Sequence, residues 1–184
     1  MIIFKNRYSV RIISNKIIIK FLFAMDARDN LLTLPQQLYI KDSKDITNIK
    51  DISFIELLKS NSLIGLYFSG HWCPPCNHFT PQLINFYNAV NKEKKQIEII
   101  FISHDEDEIE FQEYYNEMPW AAVPYDFDGR EDISTSFNIV GIPSLIVIDN
   151  KGDLIDLKGK SSIISLGIKA IEKWNLIQKE QHKK

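Results

Sequence analysis

Hydrophobic positions change period several times along this chain, and each change marks an element. Leu63-Ile64-Gly65-Leu66-Tyr67-Phe68 and Ile97-Glu98-Ile99-Ile100-Phe101-Ile102-Ser103 are nearly continuous apolar runs of strand length. That is the pattern of central strands buried on both faces. Between them Phe79, Leu83, Phe86, Tyr87 and Val90 recur at helical spacing, which predicts a helix over 74–91 with one buried face. Pro81 lies inside this helix and is expected to kink it without ending it. A further helix is predicted from Asp107 to Met118, with Phe111, Tyr114 and Tyr115 inward, and a short one from Asp132 to Asn138. Ser144–Asp149 and Asp153–Leu157 flank Asn150-Lys151-Gly152, a hairpin signal with glycine where a positive φ is needed. A last helix over Ser162–Trp174 would close the sheet.

Upstream, Leu31–Leu34 and Leu38–Ile40 read as two short strands around Pro35. Asp51–Lys59 reads as a short helix in which Ser53 and Glu56 form a capping box. Strand, helix, strand, helix implies parallel pairing through right-handed crossovers, so the fold class is α/β. No internal repeat or low-complexity tract interrupts this order.

The 184 residues carry a formal charge of −2. Residues 1–25 hold Lys5, Arg7, Arg11, Lys16 and Lys20 and no acid, so the remainder carries −7. A mildly acidic body argues against nucleic acid as a partner. The apolar stretch Ile17–Ala24, broken by Lys20, is too short to be a stable membrane span. The expected division is a basic apolar arm over 1–25, one domain over 26–177 and a disordered tail over 178–184. The default expectation is a cytoplasmic monomer, with residues 1–25 as an organelle or secretory targeting segment the alternative. Two other readings of the arm are an added β-rich or disordered extension, and Met25 as the functional start.

Chemistry enters with Trp72-Cys73-Pro74-Pro75-Cys76, which holds the only two cysteines, directly after the first apolar run. A strand that ends at a thiol and turns into a helix makes a compact two-electron redox centre. The thiol reacts as thiolate, and unpaired N–H groups at a helix start favour that form. Cys73 is the expected attacking thiol, and Cys76, one turn further in, can form a disulfide with it. The competing readings are half of a zinc site completed by His71, His78 or His104, and an inert buried pair. The βαβ context favours redox chemistry.

The order of elements and these motifs resemble the thioredoxin fold, and in particular its tryparedoxin and nucleoredoxin-like branch. The resemblance covers 31–175 and rests on Tyr67 to Cys76, Phe79-Thr80-Pro81-Gln82-Leu83, Phe86-Tyr87, Ser103–Asp107, Tyr114-Tyr115, Met118–Tyr125 and Gly141-Ile142-Pro143-Ser144. It implies a central mixed β-sheet flanked by helices. It also implies Cys73 as exposed nucleophile, Cys76 as buried resolving thiol, and Pro143 as a cis-proline facing Cys73. Trp72, Pro74, Pro75, Trp120, Ile142 and Pro143 would form the substrate-docking surface, bordered by Pro119. Two departures stand out. Thioredoxins carry a buried acid six positions before the nucleophile, and here that position is Tyr67. Proton removal from Cys76 then falls to water, poorly to Tyr67, or to a group from elsewhere. The branch often has a basic residue after the second cysteine, where this chain has Asn77; a protonated His71 would restore some positive character.

The function so implied is a thiol–disulfide oxidoreductase, an electron carrier that reduces protein disulfides through the Cys73–Cys76 couple. It needs no metal and no bound organic cofactor. Its expected partners are disulfide-containing proteins such as peroxiredoxins, with an upstream reductase or a low-molecular-weight dithiol recharging it. Three rivals remain at this level: an oxidase or isomerase of an oxidising compartment, a non-catalytic adaptor of the same fold, and direct peroxide reduction by Cys73.

Overall fold

The computed structural model describes residues 33–41 and 49–183. The basic arm and Leu31-Leu32 lie outside the described residues. The elements run β1 (Gln37–Lys41), β2 (Ile49–Ser53), α1 (Phe54–Ser60), β3 (Leu63–Ser69), α2 (Pro74–Val90), β4 (Ile97–Ser103), α3 (Glu108–Asn116) and β5 (Ala121–Ala122). They continue with α4 (Arg130–Ser136), β6 (Ser144–Asp149), β7 (Leu154–Asp156), α5 (Gly159–Leu166), a 3₁₀ turn (Gly167–Lys169) and α6 (Ala170–Gln181).

Among the described residues the strands form one mixed sheet in the order β2-β1-β5-β4-β3-β6-β7. β3 pairs in parallel with β4 and antiparallel with β6. The two apolar runs therefore sit at the centre, and their side chains alternate between the two faces. Leu63, Tyr67, Ile97, Ile99 and Phe101 join the core that packs on α2, α3 and α6. Ile64, Leu66, Phe68, Ile100 and Ile102 join the core on the other face, with Phe54, Leu57 and Ile133 from α1 and α4. Gly65 keeps β3 low where a Cβ would come within 3.2 Å of Leu145 and 3.3 Å of Ile99.

Several expectations change in detail. Thr33 and Leu34 lie in a turn, and β1 starts at Gln37. Residues 51–53, expected to open a helix, belong to β2, where Gln37 faces Ser53 and Tyr39 faces Asp51. Ser53 occupies the N-cap of α1, yet its side chain makes no capping hydrogen bond, so the capping box is not formed. α2 runs through Pro81 unbroken to Val90. The hairpin is as expected, with Gly152 at φ 85° and Asp149 Oδ1 accepting from the Lys151 and Asp153 amides at 2.8 Å each.

The closing helix is two helices. Gly167, at φ 56°, and a 3₁₀ turn separate α5 from α6, because a residue in the left-handed region cannot continue an α-helix. The tail expected to be disordered from residue 178 is helical through Gln181. Its end is held by His182 Nε2 at 2.8 Å from the fully buried Asp149 Oδ2, and by Gln181 donating to the Leu154 carbonyl at 3.0 Å. No helix among the described residues is long and apolar enough to cross a membrane.

Candidate active site

The cysteines sit where β3 hands over to α2. The chain turns sharply after Ser69, with the Cys73 amide donating to the Gly70 carbonyl at 3.1 Å. Cys73 is the N-cap of α2, and Pro74 and Pro75 fill its first two positions, where the missing N–H groups cost the helix nothing. The amides of Cys76 and Asn77 both donate to the Cys73 carbonyl, at 2.9 and 3.1 Å. Asn77 Nδ2 also donates to the His71 carbonyl at 2.8 Å, closing the turn from the side. Both cysteines are free thiols.

Their burial differs from the expectation in one respect. Cys76 is fully buried, as anticipated, but Cys73 exposes only 5% of its surface. Trp72 is about half exposed, at 53%, and its Nε1 donates to the His104 carbonyl at 2.8 Å, which fixes the indole beside the turn. Pro74 and Pro75 are exposed and Ile142 is half-buried. The Ile142–Pro143 peptide is cis, and the Ile142 carbonyl oxygen lies 3.9 Å from Cys73 Sγ. The structure thus gathers Trp72, the two prolines and the 142–143 loop around Cys73.

Trp120 does not belong to this surface. It is fully buried in the core, edge-on to Tyr87 at 5.4 Å and to Tyr67 at 6.1 Å between ring centroids. Among the described residues its Nε1 has no hydrogen-bond partner, and aromatic rings surround the indole. A docking role for Trp120 is therefore incorrect. Trp120 directly precedes β5, which lies between β4 and β1, and it packs in the core shared with α2, α3 and α6.

Burial, and then the Cys73 side chain, push the Cys76 thiol up to about 11, while the Ser69 hydroxyl and the Gly70 backbone pull it back. Tyr67, in the position of the thioredoxin acid, is raised further still, chiefly by burial, and cannot serve as a base near neutral pH. The histidines take other duties. His71 stacks on the Tyr114 ring at 5.2 Å, and its amide donates to Asp105 Oδ1 at 2.5 Å. His104 Nε2 lies 3.0 Å from Ser134 Oγ, and burial lowers its pKa. His78 is exposed on α2. The one group of ligating side chains close enough for an ion, among the described residues, is Asp149, Asp153 and His182, at the other end of β6 from the cysteines. A cleft of about 590 Å³ lies beyond His104, lined by residues that include Tyr125, Arg130 and Ser134, and neither cysteine opens into it.

A mixed sheet with a strand-to-helix dithiol and a facing cis-proline defines the class of protein: a thioredoxin-type α/β fold whose cysteine pair supports thiol–disulfide exchange. The family model described as Thioredoxin-like matches residues 61–154, and the chain belongs to that family. Within it the chain is related to tryparedoxins and nucleoredoxins. It is 32% identical to tryparedoxin I from Crithidia fasciculata, with a TM-score of 0.65, over 78% of this chain and 94% of that one. For tryparedoxin from Trypanosoma brucei the identity is 32% and the TM-score 0.67, over 79% and 97% of the two chains. Probable nucleoredoxin 1 from Arabidopsis thaliana is 44% identical over 120 residues, which is 62% of this chain and 21% of that protein. The chain spans about a fifth to a quarter of the length of the nucleoredoxins it matches.

Proposed function

We propose that this chain is a thiol–disulfide oxidoreductase that reduces protein disulfides. Cys73 attacks a partner disulfide: the partner S–S bond breaks, one partner sulfur leaves as a thiolate, and the mixed disulfide forms on the Cys73 sulfur. Cys76 then attacks that sulfur, the 73–76 disulfide closes, and the partner leaves as a thiol. The observation that carries this reading is the asymmetry of the pair. Cys73 sits at the helix start within a half-exposed rim of Trp72, Pro74, Pro75 and Ile142, whereas Cys76 is sealed one turn deeper.

The rim suits an extended peptide segment carrying the disulfide, with the Ile142 backbone beside Cys73 as its pairing edge. Peroxiredoxins are suitable disulfide partners, and a reductase or a low-molecular-weight dithiol would return the couple to its reduced form. Exchange runs either way, so direction follows the reduction potential. Equilibration of the couple against glutathione, with Cys73→Ser as control, tests the proposal. A potential of about −230 to −270 mV is expected for a reductant in a thiol-rich, cytoplasm-like compartment. A value of roughly −120 to −180 mV would instead identify an oxidase or isomerase. Absence of a 73–76 disulfide would sink the redox reading.

A further inference from the structure

The end of the sheet remote from the cysteines gathers two carboxylates and an imidazole that the dithiol chemistry does not use. Asp149 closes β6, Asp153 stands across the hairpin turn just before β7, and His182 caps the C-terminus of α6. One ligand atom from each lies within 4.8 Å of the others. The tight turn brings the carboxylates together, with Gly152 at φ 85° and the Asp149 amide donating to the Asp153 carbonyl at 2.9 Å. The last turn of α6 carries the imidazole to them. Its His182 amide donates to the Gln178 carbonyl at 3.1 Å, and Gln181 Nε2 donates to the Leu154 carbonyl at 3.0 Å. His182 Nε2 then stands 2.8 Å from Asp149 Oδ2.

Asp149 is fully buried, and its two oxygens have different surroundings. Oδ1 accepts from the Lys151 and Asp153 amides at 2.8 Å each, which fixes the carboxylate and leaves Oδ2 to face His182. Among the described residues no lysine or arginine pairs with Asp149. Its one ionic partner is an imidazole, a cation only when protonated. A buried carboxylate is costly unless a cation or a metal ion balances it.

We propose that Asp149 Oδ2, a carboxylate oxygen of Asp153 and His182 Nε2 bind one divalent ion of the zinc type, which staples the end of α6 to the β6–β7 hairpin. The site is independent of the dithiol. Two carboxylate oxygens and one imidazole nitrogen suit Zn²⁺ or Co²⁺, with water in the fourth position, whereas Mg²⁺ and Ca²⁺ take larger all-oxygen sets. Zinc at about 2.1 Å from each ligand sets a tetrahedral group roughly 3.4 Å apart. Closure on the ion therefore moves Asp153 and His182, the two less buried side chains, by about 1 Å. The ion enters in place of the proton that joins Nε2 to Oδ2, and that proton leaves to solvent. The two amides on Oδ1 hold Asp149 in the orientation the ion needs.

The test uses the full chain carrying Cys73→Ser and Cys76→Ser, so that no thiol can hold the ion. Calorimetric titration with Zn²⁺ should show one site per chain, and Zn²⁺ should raise the thermal midpoint. Co²⁺ should give the strong visible absorption of a four-coordinate ion, and excess Mg²⁺ should not displace either metal. Asp153→Asn and His182→Gln, each added to this background, should weaken Zn²⁺ binding at least about tenfold and abolish the rise in midpoint. Either variant carries the test if the other does not fold. Absence of saturable Zn²⁺ binding by the thiol-free chain would overturn the site. Binding that the folded variants retain at full strength would also overturn it and place the ion on other surface carboxylates.

Discussion

Replacing Asp156 by Asn tests the electrostatics that hold the C-terminal helices on the sheet. Asp156 Oδ2 accepts from Ser162 Oγ at 2.7 Å, from Lys173 Nζ at 2.9 Å and from Trp174 Nε1 at 2.9 Å, and Oδ1 accepts from the Lys158 amide at 2.8 Å. The carboxylate thereby joins the end of β7 to α5 and α6, and its side chain is only 10% exposed. Burial alone would raise its pKa. The donors outweigh burial and hold it at about 2, against 3.8 for an ordinary aspartate. Because the folded group ionises more readily, its contribution is complete well above pH 4 and is lost as pH falls toward 2. The difference is worth about 2 kcal/mol at pH 7 and about 1 kcal/mol at pH 3. Urea unfolding of the wild type and of Asp156→Asn at both pH values should show a stability gap that narrows by about 1 kcal/mol at the lower pH. The amide sets an additional offset that does not depend on pH, so the narrowing is the test. A gap that stays constant or widens on acidification would refute the assignment.

Trp120→Ala should destabilise the protein by about 3–5 kcal/mol in denaturant unfolding, as for a large aromatic removed from a packed core. Trp72→Ala, at the exposed rim, should cost less than about 1 kcal/mol and act instead on partner exchange. Gly159→Ala should lower the thermal midpoint, because its Cβ would fall 2.9 Å from the Leu145 carbonyl oxygen and 3.0 Å from the Leu145 side chain. An unchanged midpoint would show that α5 can move off β6 freely.

The elements legible in the sequence are those whose apolar pattern is unambiguous. β3 and β4 are continuous runs, α2 repeats at helical spacing, and the β6–β7 hairpin carries its turn glycine. What escaped is structure decided by partners distant in sequence. β2 looks like a helix start because Ser53 and Glu56 stand at capping-box spacing, yet pairing with β1 overrides that local signal. β5 is two alanines, too short to show any period, and it becomes a strand only between β4 and β1. The break between α5 and α6 rests on one glycine at positive φ, which is indistinguishable in sequence from a tolerated helix-interior glycine.

The site divides in the same way. Cys73, Cys76 and Pro143 stand within motifs that announce themselves. Ser69, Tyr67, Thr80 and Tyr114 stand within those motifs too, but the hydrogen bonds that join their hydroxyls link positions separated by as many as 45 residues, which no local pattern shows. Trp120 was misplaced for the opposite reason. The Met118–Tyr125 signature suggests a place at the docking surface, but Met118, Ala121, Ala122 and Val123 are buried together with Trp120, so this part of the signature is core.

The pairing of His182 with Asp149 decides where the chain emerges. Asp149 lies opposite Leu63, at the start of β3, whereas the dithiol follows Ser69 at its end. A strand of that length spans about 20 Å. Anything joined after residue 183, whether a fluorophore, a surface tether or a further domain, would thus depart from the pole of the sheet opposite the reacting sulfurs. A protein immobilised through that end would keep its dithiol open to solution, and a fused partner would reach Cys73 only through a linker long enough to cross the sheet.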